Sequence, residues 1–158
     1  MALKADRIEE STDISFFYNE GTATRGGVVV LDAANASGAA MDQGANKVKY
    51  ATVTASDIPV GILLNDVVNK DLTRTHLNQY KDEVQKGGKV TVLTRGQVTT
   101  NNIDSVDVAA GELAYASSGT AGNLTNVSAQ GASHAIGRFM SAKLDGYAKV
   151  AVNLPNNG

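Results

Sequence analysis

Residues able to do chemistry are thinly spread along this 158-residue chain. Its two histidines, His76 and His134, stand alone in polar sequence, and neither belongs to a His-Glu-x-x-His helix that would hold zinc. With no cysteine at all, thiolate nucleophiles, zinc–thiolate sites and disulfides are excluded. Gly87-Gly88-Lys89 has part of a phosphate loop, but no glycine precedes Gly88 by five positions. The segment also leads into a strand rather than into a helix whose N-terminus would hold phosphate. Asp104, Asp107 and Glu112 are spaced across a Val/Ala run without the glycine of a calcium loop, and read as turn acids. No Gly-x-Ser-x-Gly elbow occurs, and the serines lie in loops without a neighbouring base. These residues point away from an enzyme, and no metal or cofactor is expected.

The composition narrows the partners. Fourteen Lys+Arg against 16 Asp+Glu leave a net charge of −2, and no run gathers the cations on one face, which argues against a nucleic-acid binder. The longest strongly apolar stretches, 27–31 and 58–64, fall far short of the roughly 20 residues that cross a bilayer. Residues 1–10 have no apolar run resembling a signal peptide, so a soluble protein without a membrane partner is expected. The 22 alanines and 16 glycines, with aromatics at 5% and two prolines, suit a light β scaffold better than a pocketed enzyme.

Short β-type runs separated by turn residues every ten or so positions predict a mainly β chain. Strands are expected at 28–31, 47–54, 60–64, 89–94, 112–116, 136–140 and 147–154, with a further short one within 123–127. In the last long run Ala148, Val150, Val152 and Leu154 alternate with Tyr147, Lys149, Ala151 and Asn153. Asp145-Gly146 before it is the chemistry of a two-residue type I′ turn; that register sets Phe139 opposite Val152 and Ser141 opposite Val150. Residues 33–46 and 117–134 are rich in small and polar types and read as loops. The charged segment 66–87 breaks the pattern. Leu77, Tyr80 and Val84 have helical spacing, Asp71 is a possible cap and Gly87-Gly88 a stop, whereas Thr73, Thr75 and Asn78 favour an extended arm.

The chain also answers itself. Gly27-Val-Val-Val-Leu corresponds to Gly111-Glu-Leu-Ala-Tyr, Val60-Gly-Ile-Leu-Leu-Asn to Ile136-Gly-Arg-Phe-Met-Ser, and Gly88-Lys-Val-Thr-Val-Leu to Tyr147-Ala-Lys-Val-Ala-Val. This reads as a weak duplication with half-repeats at about 26–96 and 110–155 inside one β domain, 25–158. Between Asn65 and Gly88 lie 22 residues, where only four separate Ser141 from Gly146. The insertion 66–87 and an N-terminal arm, 1–24, are additions to the repeated core, and additions are where function is expected. In the arm, Ile14, Phe16, Phe17 and Tyr18 form an apolar knot. It fits either a first core strand or a segment that docks on a neighbour.

Ala23-Thr-Arg-Gly-Gly-Val-Val-Val-Leu, Pro59-Val-Gly-Ile-Leu-Leu-Asn-Asp-Val-Val, Asp71-Leu-Thr-Arg-Thr-His-Leu-Asn and Lys81-Asp-Glu-Val-Gln-Lys-Gly-Gly-Lys-Val-Thr carry a family likeness. Ile136-Gly-Arg-Phe and Asp145-Gly-Tyr-Ala-Lys-Val-Ala-Val-Asn-Leu-Pro continue it. Over residues 23–155 the chain resembles the capsid decoration proteins of tailed phages, also called cement or head-stabilising proteins. The resemblance implies a small β-barrel or β-sandwich on the outside of the virion capsid, made in the host cytoplasm. Its implied partners are the major capsid protein and itself, as a homotrimer that clamps neighbouring capsid subunits. On this reading Ile14, Phe16, Phe17 and Tyr18 are expected to reach the capsid, and Leu72, His76, Leu77 and Tyr80 a neighbouring subunit. Two other classes remain: another virion subunit, such as a tail tube or head fibre, and a carbohydrate-binding β module. The absence of Trp counts against the last.

Overall fold

A computed structural model describes residues 2–32, 46–50, 57–69, 73, 82–104, 107–128 and 135–154. Twelve strands occur among them: β1 (Ile8–Asp13), β2 (Phe17–Tyr18), β3 (Val28–Leu31), β4 (Lys47–Lys49), β5 (Pro59–Leu63), β6 (Asp66–Val68), β7 (Glu83–Gln85), β8 (Val92–Thr100), β9 (Leu113–Ala116), β10 (Leu124–Thr125), β11 (Ala135–Phe139) and β12 (Ala148–Asn153). The main sheet runs β10-β9-β11-β12-β8-β5-β3-β4-β2, with β1 paired to β8, while β6 and β7 form a separate parallel pair. The sheet is not closed into a barrel, and the layering is that of a sandwich.

Its order has a two-sided pattern. On one side of the β8–β12 ladder lie β5, β3 and β4, and on the other β11, β9 and β10. Each half places its strands in the same succession outward from a central antiparallel pair, Thr100 opposite Ala148 through Arg95 opposite Asn153. The glycines matched in the repeat share a job. A methyl on Gly61 would overlap the Leu93 carbonyl, and one on Gly137 the Ala151 carbonyl, so the neighbouring strand closes in only because neither has a side chain.

The halves differ in burial. In β3 and β5, Val28, Val30 and Ile62 enter one apolar cluster, while Val29 and Leu63 enter the other. This two-sided burial explains the unbroken apolar runs Val28–Leu31 and Ile62–Leu64. Strand β12 alternates, with Ala148, Val150 and Val152 buried and Lys149 and Ala151 half-buried between them, as expected of a sheet with one wet face. Tyr18, Val48 and Val67 cover the second face of the first half.

Three expectations shift. The Asp145-Gly146 turn is present, with φ of 51° and 83° and Leu144 bridged to Tyr147, but Phe139 pairs with Val150 and Gly137 with Val152. The register moves because residues 141–143 leave the ladder. Ser141 Oγ takes the Lys149 N–H that a carbonyl would have accepted, and Lys143 turns away to the backbone of Asp104 and Val108. The strand expected at 89–94 starts later and runs on to Thr100. The N-terminal segment is extended but lies along β8, from Leu3 opposite Thr100 to Asp13 opposite Val92; Leu3 and Tyr18 are core residues. The ends of the 66–87 insertion are the strands β6 and β7, and its central helix-or-arm question falls outside the described residues, as does most of the loop 33–46.

Candidate functional site

The apolar knot of the N-terminal segment divides between core and surface. After β1, the Asp13 carboxylate accepts the Ser15 N–H at 2.7 Å, an Asx turn that redirects the chain. Ile14 is thrown outward, 65% exposed, whereas Phe17 and Tyr18 turn into the protein at 4% and 0%. Phe17 N–H donates to the Asn46 carbonyl and Tyr18 N–H to the Gly88 carbonyl, pinning β2 between β4 and the segment 87–90. Phe16 stays half-buried. Of the four side chains, therefore, Ile14 and Phe16 offer surface, and Phe17 and Tyr18 fill this chain's own core.

Phe16 opens onto a groove. Asp13, Phe16, Leu31, Ile58, Pro59, Val60 and Thr94 line a mainly apolar hollow of about 270 Å³. Four strands assemble it: the ends of β1 and β3 and the first parts of β5 and β8. Leu31 N–H donates to the Ile58 carbonyl at 2.9 Å, and the Thr94 hydroxyl donates to the Ser11 carbonyl at 3.0 Å, so the walls are fixed by backbone ties. Pro59 occupies the first position of its strand, where its missing N–H breaks no ladder. Leu31 is 38% and Ile58 52% exposed. Sequence reasoning passed over both because each sits at a strand end, where periodicity gives no face; their signal was an apolar residue bordering a polar loop.

Polar groups elsewhere are engaged in structure. Arg25 donates to the Asp66 carboxylate at 2.9 and 3.1 Å and approaches Asp82 at 3.4 Å. Burial alone would raise the Asp66 carboxyl, but the Arg25 contacts outweigh it and hold it below the usual carboxylate range. Thr22, Ala23, Thr24 and Glu83 line a shallow cleft beside this clamp. The Asp104 carboxylate is bonded by Ser117 and Asn123, and Glu112 accepts the Ala109 N–H and the Asn126 amide, which lowers its carboxyl. Among the described residues no group of His, Asp and Glu is arranged to hold a metal ion. Leu72, His76, Leu77, Tyr80 and His134 lie outside the described residues.

A second hollow, on the outer face of the second half, is lined by Leu113, Gly137, Arg138, Ala151 and Asn153; small and polar side chains make it a wet sheet face. Apolar exposure elsewhere is scattered, at Ile8 on β1 and at Met140 and Leu144 of the hairpin, the last 75% exposed.

Set against models of known families, residues 13–153 match one described as structural cement protein (E217 gp24/Pam3 gp6). No curated protein matches the chain.

Proposed function

The chain belongs to the structural cement proteins of phages, a family of virion components rather than of enzymes, and on that premise we propose that it binds the outer surface of a phage capsid and cements neighbouring major capsid subunits. The observation that carries the reading is the clustering of exposed apolar side chains. Of seven large hydrophobic residues exposed among the described residues, Leu31 and Ile58 line one groove and Ile14 stands in the chain between its lining residues Asp13 and Phe16, where isolated exposure would have no meaning. The groove is the capsid-facing site, with Ile14 and Phe16 as its anchors.

A homotrimer suits this work, because three weak grooves on one body bind as a unit through effective concentration. The insertion, through Leu72, His76, Leu77 and Tyr80, supplies a contact between subunits. No nucleic acid or membrane takes part, and capsid chemistry needs no cofactor.

Point substitutions test the groove better than truncation, since removing residues 1–20 would take Leu3 and Tyr18 out of the core. Burying one isoleucine contributes about 1.5–3 kcal/mol. Ile14→Ser with Ile58→Ser should therefore weaken co-sedimentation with undecorated expanded heads by about 100-fold or more, with melting unchanged. Full binding by the double variant would overturn the groove as the capsid site. Long polymers formed by the protein without heads would instead support a tail or fibre subunit.

A further inference from the structure

The pairing register gathers cations from separate strands onto one sheet face. Leu113 stands opposite Arg138, Arg138 opposite Ala151, Ala151 opposite Gln97 and Gln97 opposite Ile8. Residues paired in this way share a face, so the five side chains form one row across β9, β11, β12, β8 and β1. In the flanking rows Lys149 is opposite Thr99 and Asn153 opposite Arg95. None of these positions carries an acid, and Arg95, Arg138 and Lys149 meet no carboxylate among the described residues. Arg138 donates to the Gly111 carbonyl, a neutral acceptor that leaves its charge uncompensated. Each strand supplies its cations singly, which is why the sequence shows no basic run.

Apolar side chains bound the same face. Leu113 and Ile8, 41% and 50% exposed, end the row, four strand spacings or about 19 Å apart. Met140 is 49% exposed and donates its N–H to the Lys149 carbonyl, which sets it beside that cation. Between these limits the floor is low. Gly137 has no side chain and Ala151 only a methyl, and with Leu113, Arg138 and Asn153 they line a hollow of about 280 Å³. The outer face of the first half is covered by Tyr18, Val48 and Val67, whereas here Arg95, Arg138 and Asn153 are exposed.

We propose that this face docks an acidic polypeptide segment, with carboxylates on Arg95, Arg138 and Lys149 and aliphatic side chains on Leu113 and Ile8. The inference is independent of the groove and of any oligomeric state. Charge complementarity sets the sign of the partner: three uncompensated cations and no acid on the face, in a chain of net charge −2, make a local positive field. Two of the three are arginines, whose planar fork suits carboxylates. The apolar limits set its class. A polyanionic sugar or nucleic acid carries charge along its whole length and would hold solvated groups against Leu113 and Ile8, whereas a polypeptide supplies aliphatic groups at both ends. An extended segment rises about 3.3 Å per residue with alternate side chains on one face. Leucines at the first and seventh positions of such a segment span the row, and glutamates at the third and fifth fall among the cations.

The test is an amide-shift titration of the isotope-labelled full chain with the end-capped peptide Leu-Ser-Glu-Ser-Glu-Ser-Leu. Saturable shifts are expected at Gln97, Arg138, Lys149 and Ala151, and none at Leu31 or Val60 in the groove. Replacing both glutamates of the peptide by glutamine, or raising sodium chloride to 0.5 M, should weaken binding by about fivefold or more. Arg95→Glu with Lys149→Glu should abolish it at an unchanged melting temperature, since neither substitution touches the Arg138 bond to Gly111. No shift at these amides, or equal affinity for the glutamine peptide, overturns the proposal. Tighter binding of heparin or oligothymidylate than of the peptide at the same amides overturns the polypeptide class. A wild-type oligomer on light scattering that the double variant dissociates gives the face to a second copy, and overturns the proposal as well.

Discussion

Tyr50 shows how one side chain joins distant parts of the sequence. Its hydroxyl accepts the Asn102 amide at 3.0 Å and its N–H donates to the Glu20 carboxylate at 3.0 Å. Its ring lies so close to Gly27 and Gly122 that a methyl on either would overlap it. Burial pushes its phenol up to about 12, and Tyr18 is raised as well, by burial and then by Glu20. The unfolded chain deprotonates Tyr50 near pH 10 while the folded protein keeps the proton. Stability should therefore be unaffected by this group below pH 10 and fall by up to about 1.4 kcal/mol per pH unit between 10 and 12. Tyr50→Phe should be less stable near neutral pH, by about 1 kcal/mol for the lost hydrogen bond, and show a shallower alkaline decline. Guanidinium melts at pH 8 and 11 measure both; an equal decline in the two proteins would remove Tyr50 as its source.

Among the elements, the β6–β7 pair adds a polar clamp to its buried Val67 and the Val67–Ala23 bridge. Arg25 ties it to the body through Asp66, whose backbone-directed oxygen also accepts the Arg25 N–H at 2.8 Å. Because the folded Asp66 carboxyl is held low, its contribution is present above the ordinary carboxylate range and lost as pH falls through the lower folded value. Asp66→Asn should speed hydrogen exchange at Val67 and Val68 while β8 and β12 keep their protection. Acidifying the wild type should open the same pair first, and uniform exchange across all strands would contradict a local clamp. Elements with a strong local code were legible in sequence: Val28–Leu31 by its apolar run, β12 by its alternation, the hairpin by Asp145-Gly146. Strand β1 was not, because Ile8–Asp13 is exposed along almost all its length and pairs only because β8 offers an edge. Nor were β6 and β7, three residues each, too short for a period. The hairpin register was lost to side-chain contacts that alternation does not encode, Ser141 Oγ standing in for a carbonyl and Lys143 turning to Asp104. At the candidate site, Ile14 and Phe16 were legible as apolar residues in a polar lead-in. The rest of the groove comes from strands far apart in sequence and exists only after folding.

At the scale of the whole molecule, the net charge of −2 without a basic run and an apolar groove give the proposed head binding a distinct salt dependence. Attachment through buried apolar surface is only weakly screened by salt, whereas exposed ion pairs lose most of their attraction beyond a Debye length of about 3 Å at 1 M. Affinity for expanded heads should therefore change less than about threefold between 0.1 and 1 M sodium chloride. A tenfold loss on co-sedimentation would assign the contact to charged side chains instead.

Strand β8 has a mechanical consequence. The N-terminal segment runs along it from Leu3 at Thr100 to Asp13 at Val92, and β12 from Ala148 at Thr100 to Asn153 at Arg95. Tension entering beside Asp13 and leaving through the Asp145-Gly146 turn is directed along these strands. It strains the ladders in shear, with many hydrogen bonds loaded side by side and none placed to fail first. The same force applied across the strands would unzip them one bond at a time. A load applied along β8 is therefore borne by whole ladders at once, and a load applied across it by single bonds in turn.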